Sequence, residues 1–223
     1  IIEELYLTNK VKFLLLEKFV FPNIKDYQTF LTLIKKKNIK NIRVNSWGSY
    51  IVNKLNLKFN NKKISIQYNI KKGSLGTNLT HILDLFLSLT SSKKIFIKPK
   101  KIKIINAKRK GYNELITNFE AYNYNSDIKI LTNNKKKFHI KKIKYRKKNY
   151  RVDINKSTKC TLYINNKKIK SIEFPYAKNF TEPFFKSCIS KKSKFSNYSR
   201  ISNLSVEILK FIDENSSKKI LLT

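Results

Sequence analysis

Leu89-Thr-Ser-Ser-Lys-Lys-Ile-Phe-Ile-Lys-Pro-Lys-Lys-Ile-Lys-Ile-Ile-Asn-Ala-Lys-Arg-Lys-Gly-Tyr112 is the stretch from which the rest of the chain is read. It sets nine cations (Lys93, Lys94, Lys98, Lys100, Lys101, Lys103, Lys108, Arg109, Lys110) among apolar residues at strand-like spacing, and ends on Gly111-Tyr112. Such a stretch is expected to bind a polyanion while anchored in a sheet. Just upstream, Leu79, Ile82, Leu83, Phe86 and Leu87 recur at helical spacing, so a core helix over 79–89 feeds a basic strand over 94–105.

The whole chain shares this character. Its 49 Lys and Arg face 14 Asp and Glu across 223 residues, a formal net charge of +35. That excess repels itself unless something anionic screens it. The cations run from Lys10 to Lys219 rather than forming a tail, which implies a partner touching several faces, and ribosomal RNA fits that better than a short DNA site. Only five of the cations are Arg (Arg43, Arg109, Arg146, Arg151, Arg200), and Asn, Ile, Phe and Tyr abound, the imprint of an AT-rich coding sequence and hence an expectation of an organellar, mitochondrial location. Cys160 and Cys188 form no CxxC pair and His81 and His139 stand apart, so neither a zinc site nor a disulfide framework is expected. No apolar run approaches the roughly 18 residues of a spanning helix, so membrane insertion is not expected.

Along the chain, helical spacing predicts helices over 5–19, 27–37 and 204–212, besides the one over 79–89. Alternation predicts short strands over 41–44, 51–59, 63–70, 128–131, 138–145, 150–154, 160–164, 169–174 and 184–190, with Asn133-Asn134 and Asn165-Asn166-Lys167 as hairpin turns. Lys191–Ser199 reads as a basic loop. The expected architecture is α+β: a single domain over 1–223, helices packed on one face of a mostly antiparallel sheet, with a basic β-rich extension or insertion near 120–170.

Candidate sites are weighed on that frame. Gly73-Ser-Leu-Gly76, preceded by Lys71 and Lys72, has the GxxG form of a backbone clamp, although a strand rather than a helix leads into it. Lys141, Lys142, Arg146, Lys147 and Lys148 interleave with Phe138, Tyr145 and Tyr150, a pattern that neutralises phosphates and offers rings to bases, though such rings are more often core. Paired carboxylates, GxSxG, a Walker loop and HExxH are all missing. Asp84 and Asp127 stand alone and His81 sits one turn into an apolar helix, where a structural role outweighs catalysis, so neither enzyme activity nor a cofactor is expected.

Read in register, residues 63–112 resemble the L-five family of large-ribosomal-subunit proteins. The resemblance rests on Lys63-Ile-Ser-Ile66, Asn69, Gly73, Gly76, the Leu-rich helix, and then Lys93, Lys98, Lys100, Lys101, Arg109, Gly111 and Tyr112. Ser91, Lys94, Asn106 and Asn113-Glu114-Leu115 depart from the family's pattern. The resemblance implies a structural protein of the central protuberance that binds large-subunit rRNA, with Lys93, Lys98, Lys100, Lys101, Arg109 and Tyr112 at matching positions, and the basic stretch and the GxxG segment add Lys71, Lys72, Lys94, Lys108 and Lys110 to the expected RNA-binding set. It also implies contact with P-site tRNA, with a small-subunit head protein and with neighbouring ribosomal proteins. The alternatives are another organellar ribosomal protein with a KH-like site and an intron maturase or nuclease fragment.

Overall fold

A computed structural model of the chain describes residues 14–17, 20–39, 41–60, 62–98, 102–107, 110–133, 138–154, 159–173, 186 and 196–216. Leu14–Leu16 (β1) is a fully apolar triplet that pairs in parallel with Ile42–Val44 (β2), and the helix Ile24–Lys36 (α1) connects them. Asn23 caps α1 by accepting the Asp26 N–H at 2.9 Å, and Lys35 and Lys36 occupy its last turn, where cations meet the negative end of the helix dipole. The helix expected over 5–19 is therefore replaced by a strand at 14–16, because a three-leucine run buried in a parallel pair carries no alternation to distinguish it. Its remaining residues, 5–13 and 18–19, lie outside the described set.

The expected strand over 51–59 is also corrected. Trp47–Leu55 is a helix (α2), which places Ile51, Val52 and Leu55 on one buried face, and Asn56 ends it in the left-handed region at φ 54°. Only Leu57 and Phe59 beyond it alternate inward.

Ser65–Lys71 (β3) then leads through Gly73, at φ +74°, into Leu75–Thr90 (α3). This helix begins four residues before the expected start, and it is buried on every side: Leu75, Leu79, Ile82, Leu83, Leu85, Phe86 and Leu89 are all closed to solvent. The long basic strand expected over 94–105 is broken into Phe96–Ile97 (β4) and Ile104–Asn106 (β5), and among the described residues β5 pairs only with Asn113–Leu115 (β6).

Phe119–Tyr122 (β7), Asp127–Asn133 (β8), Phe138–Tyr145 (β9), Lys148–Ile154 (β10), Lys159–Ile164 (β11) and Lys167–Glu173 (β12) complete an eight-stranded sheet ordered β12-β11-β10-β9-β3-β8-β7-β4. Every neighbouring pair is antiparallel except β3 with β8, so the chain is α+β with a mixed, mostly antiparallel sheet. Residues 120–170 supply strands of this sheet. Asn165 and Asn166 make the expected hairpin turn in left-handed conformations, whereas no hairpin joins β8 to β9, because β3 lies between them.

Ser196–Asn197 (β13) adds an antiparallel edge to β2, and Tyr198–Asn215 (α4) follows, longer than the 204–212 expected. The strand expected over 184–190 lies outside the described residues apart from Lys186, and of the basic loop expected over 191–199 the described residues 196–199 form β13 and the start of α4 instead.

Two apolar cores result. The main one lies between the eight-stranded sheet and α2, α3 and α4, and the smaller holds β1, β2 and α1. Helix α4 joins them, giving Leu204, Ile208, Phe211 and Ile212 to the first and Tyr198, Ile201 and Leu209 to the second. At the crossing of α2 and α3 only glycine fits: a Cβ on Gly48 would stand 2.4 Å from Leu85 N and 2.5 Å from His81 O.

Both contacts are with helix backbone, so neither yields by a side-chain rotation. Gly48→Ala is expected to destabilise the fold by about 1–3 kcal/mol, read as a lowered denaturation midpoint at unchanged slope. A second expectation concerns alkaline pH. Burial pushes the Cys160 thiol from its ordinary 9.0 up to about 12, and raises the Tyr27, Tyr68 and Tyr198 phenols above 10.0. These groups hold their protons more tightly folded than unfolded, so the stability they contribute is complete below the unfolded values and drains away above about pH 9. Urea midpoints taken from neutral to pH 11 should fall across that window, and a flat profile would contradict the burial.

Candidate functional site

Within the apolar helix α3, His81, Asp84 and Ser88 recur at i, i+3 and i+7 and so share one face. Asp84 is fully buried, which is costly for a carboxylate unless donors surround it. They do. Its Oδ2 accepts from Ser46 Oγ at 2.7 Å, Ser49 N at 3.0 Å and Ser196 Oγ at 2.7 Å. On its other side Arg200 Nε lies 3.2 Å from Oδ1, an ion pair set off the hydrogen-bond axis, while Arg200 Nη2 donates to Asp84 O and to Ser88 Oγ, each at 2.7 Å.

Local chemistry explains the donors. Ser46 holds the N-cap position of α2, yet its hydroxyl makes no cap bond to its own helix. It turns to Asp84 instead, and Asp84 caps α2 in its place by accepting the Ser49 N–H. Ser196 arrives through β13, where it pairs with Val44 of β2. One carboxylate thus gathers the end of β2, the start of α2, β13 and the first turn of α4.

His81 extends the chain. Its Nδ1 lies 3.3 Å from Ser46 Oγ, and its ring stacks on Trp47 at 5.1 Å between centroids. A serine hydroxyl has one proton, and at 2.7 Å the carboxylate is the stronger acceptor for it. In the tautomer that lets Ser46 keep its proton on Asp84, His81 donates from Nδ1–H to Ser46 Oγ and carries its lone pair at Nε2. His81 is 9% exposed, and its partner Ser46 follows the carboxyl end of β2, where Asn45 Nδ2 donates to Glu17 Oε1 at 2.8 Å. The carboxyl ends of parallel strands are where α/β folds take their ligands.

The sequence-predicted residues are placed differently. Lys71 ends β3, and Lys72 follows it in the turn, its N–H donating to Asn133 O at 2.7 Å. Lys93 and Lys94 lie beyond α3, and Lys98 sits 3.5 Å from Glu120 in an ion pair. Lys110 and Tyr112 lie in the β5–β6 turn, where Ala107 N donates to Tyr112 O. Lys100, Lys101, Lys108 and Arg109 lie outside the described residues, as does the Lys141 side chain. Lys142 is on β9. Arg146, Lys147 and Lys148 come together at the β9–β10 hairpin around a cavity of about 430 Å3 with Tyr145 and Tyr150. Both rings pack edge-on against Phe59, so they serve the core.

Sequence reasoning missed the cluster of Ser46, Ser49, His81, Asp84, Ser196 and Arg200. A signal was present: His81, Asp84 and Ser88 fall on one face of a helix whose residues from Leu79 to Leu89 are mostly apolar. Among the described residues no three His, Cys, Asp or Glu side chains converge as a metal site would need.

No protein-family model matches the sequence, and no curated protein is similar to it. Solved structures are. A dehydrogenase from Clostridium difficile superposes with a TM-score of 0.58 at 13% identity, covering 92% of this chain and 71% of that one. A Gfo/Idh/MocA family oxidoreductase from Vibrio cholerae gives 0.54 at 9%, over 92% and 71%. A UDP-N-acetylglucosamine 3-dehydrogenase from Acidithiobacillus ferrooxidans gives 0.53 at 10%, over 87% and 68%.

The likeness is one of fold, and it overturns the L-five assignment together with the central-protuberance role and its rRNA, P-site tRNA and ribosomal-protein partners. The KH-like and maturase alternatives fall with it, as does the expectation of no enzyme activity. Gly73-Ser-Leu-Gly76 is the strand-to-helix turn of β3 and α3, and the lysine matches came cheaply from a lysine-rich chain.

The tautomer is directly observable. Nitrogen–proton correlation spectra of the folded chain should show His81 protonated at Nδ1 and not at Nε2 near neutral pH, and Ser46→Ala should erode that preference. An Nε2–H tautomer in the unsubstituted protein would break the assigned relay.

Proposed function

We propose that the chain acts as an oxidoreductase that interconverts a hydroxyl and a carbonyl on a polar, sugar-like substrate. The observation that carries this reading is the Asp84–Ser46–His81 chain at the carboxyl ends of β1 and β2. The fold likeness to dehydrogenases supports it.

Oxidising an alcohol requires the hydroxyl proton to leave as hydride departs from carbon. His81 Nε2 accepts that proton, and Ser46 and Asp84 hold the imidazole by its other nitrogen and stabilise the imidazolium that forms. In the reverse direction the same nitrogen returns the proton. Asn45 and Glu17, bonded to each other at the carboxyl ends of β2 and β1, add an amide and a carboxylate, groups that recognise hydroxyls. One neighbour acts on a UDP-linked amino sugar, and the +35 charge of this chain suits a phosphate-bearing substrate of that kind.

A dehydrogenase also needs a hydride acceptor, and the fold implies a nicotinamide dinucleotide. The β3–α3 turn does not fit one. A dinucleotide fingerprint needs glycine at three places before the helix, whereas Lys71-Lys72-Gly73-Ser74-Leu75-Gly76 offers two. Moreover, the Gly76 N–H, which would face a pyrophosphate, donates to the buried Glu114 carboxylate at 2.8 Å. No hydride step is assigned to these residues.

The test supplies the full chain with artificial hydride acceptors and a panel of hexoses and UDP-hexoses, and follows keto-sugar formation. Oxidation of a panel member is expected, with a loss of about 10²–10⁴-fold in kcat for His81→Gln at unchanged circular dichroism. Equal rates for both proteins, or no oxidation across the panel, would refute the reading.

A further inference from the structure

On the far side of Asp84 from His81 lies a cavity of about 550 Å3, walled by the C-terminal turn of α3, the segment after α2 and the start of α4. It falls within the roughly 300–1,000 Å3 of small-ligand pockets. Three cations line it, Lys58, Lys93 and Arg200, and the rest of its described lining is serine hydroxyls and asparagine amides, with no carboxylate.

We infer that this cavity is a second binding site, for a small phosphorylated molecule whose phosphate is held by Lys58, Lys93 and Arg200.

Arg200 is the pre-set element. Its Nη2 is anchored to Asp84 O and Ser88 Oγ, and its Nε lies against the Asp84 carboxylate, so the guanidinium plane is held before any ligand arrives. The side chain remains 27% exposed, and it lines the cavity. A guanidinium fixed in this way loses little freedom on meeting a phosphate, to which its remaining nitrogen, Nη1, can donate. Asp84 offsets one positive charge, and Lys58 and Lys93 leave an excess that an anion neutralises. The hydroxyls and amides would serve the polar remainder, which points to a sugar phosphate rather than to an apolar ester.

The site is separate from that of the proposed reaction. Ser88, which lines the cavity, stands seven residues beyond His81 on the same helix, about 10 Å along its axis. The inference does not rest on His81 doing chemistry.

Because Arg200 also compensates a buried carboxylate, the test leaves it intact and uses the exposed lysines. Inorganic phosphate and a hexose phosphate are titrated calorimetrically into the full chain, into Lys58→Gln/Lys93→Gln, and into Lys167→Gln/Lys168→Gln, which removes the same charge from the exposed strand β12. One saturable site is expected, weakened at least tenfold in the first variant and unchanged in the second, with the hexose phosphate bound more tightly than phosphate. Equal binding of the two would overturn the sugar-phosphate assignment and leave a site for free phosphate. Non-saturable uptake, or equal losses in both variants, would make the binding general charge attraction and overturn the site.

Discussion

A single buried carboxylate ties this molecule together. Asp84 draws a hydroxyl from the end of β2, a backbone N–H from the first turn of α2, a hydroxyl from β13 and the guanidinium of α4. Leaving such a charge unpaired in an apolar helix costs several kcal/mol, so these elements must arrive together for α3 to be buried at all. The close crossing at Gly48 belongs to the same constraint: a Cβ there would stand 2.9 Å from Asp84 Oδ2 and would push α2 away from the carboxylate that caps it.

The same carboxylate connects architecture to chemistry. Ser46 spends its one proton on Asp84, and this sets which nitrogen of His81 is protonated. Arg200, drawn in to balance Asp84, becomes a fixed cation at the wall of a cavity on the other side. Burying one charge in α3 therefore produces an oriented base on one side of it and an oriented guanidinium on the other.

The charge excess has a different standing. Net charge governs solubility and what a surface attracts, and it does not specify a fold. Lys98 is taken up by Glu120, Arg151 by Asp153, and Tyr145 and Tyr150 beside the basic hairpin pack edge-on with Phe59. A lysine-rich background also lets short basic motifs match by chance, and for that reason the segment around 93–112 pointed to a ribosomal family whose fold this chain does not have.

Much of the scaffold was determined by local pattern. The alternation in 127–133, 138–145, 148–154, 159–164 and 167–173, the asparagine turn at 165–166, and the periodicities of α1, α3 and α4 all report which face of an element is apolar, and that information is present residue by residue. The sequence alone did not determine that Ile51, Val52 and Leu55 belong to a helix, that Leu14–Leu16 is a strand, or that β3 separates β8 from β9. Those outcomes depend on partners distant in sequence, which override local preference. The candidate site is the extreme case: Ser46, His81, Asp84, Ser196 and Arg200 come from four elements spread over 155 positions of the chain. In sequence Asp84 is a lone carboxylate in an apolar helix. Only folding surrounds it with donors, because burial makes an unmet charge expensive enough to select the one arrangement that meets it.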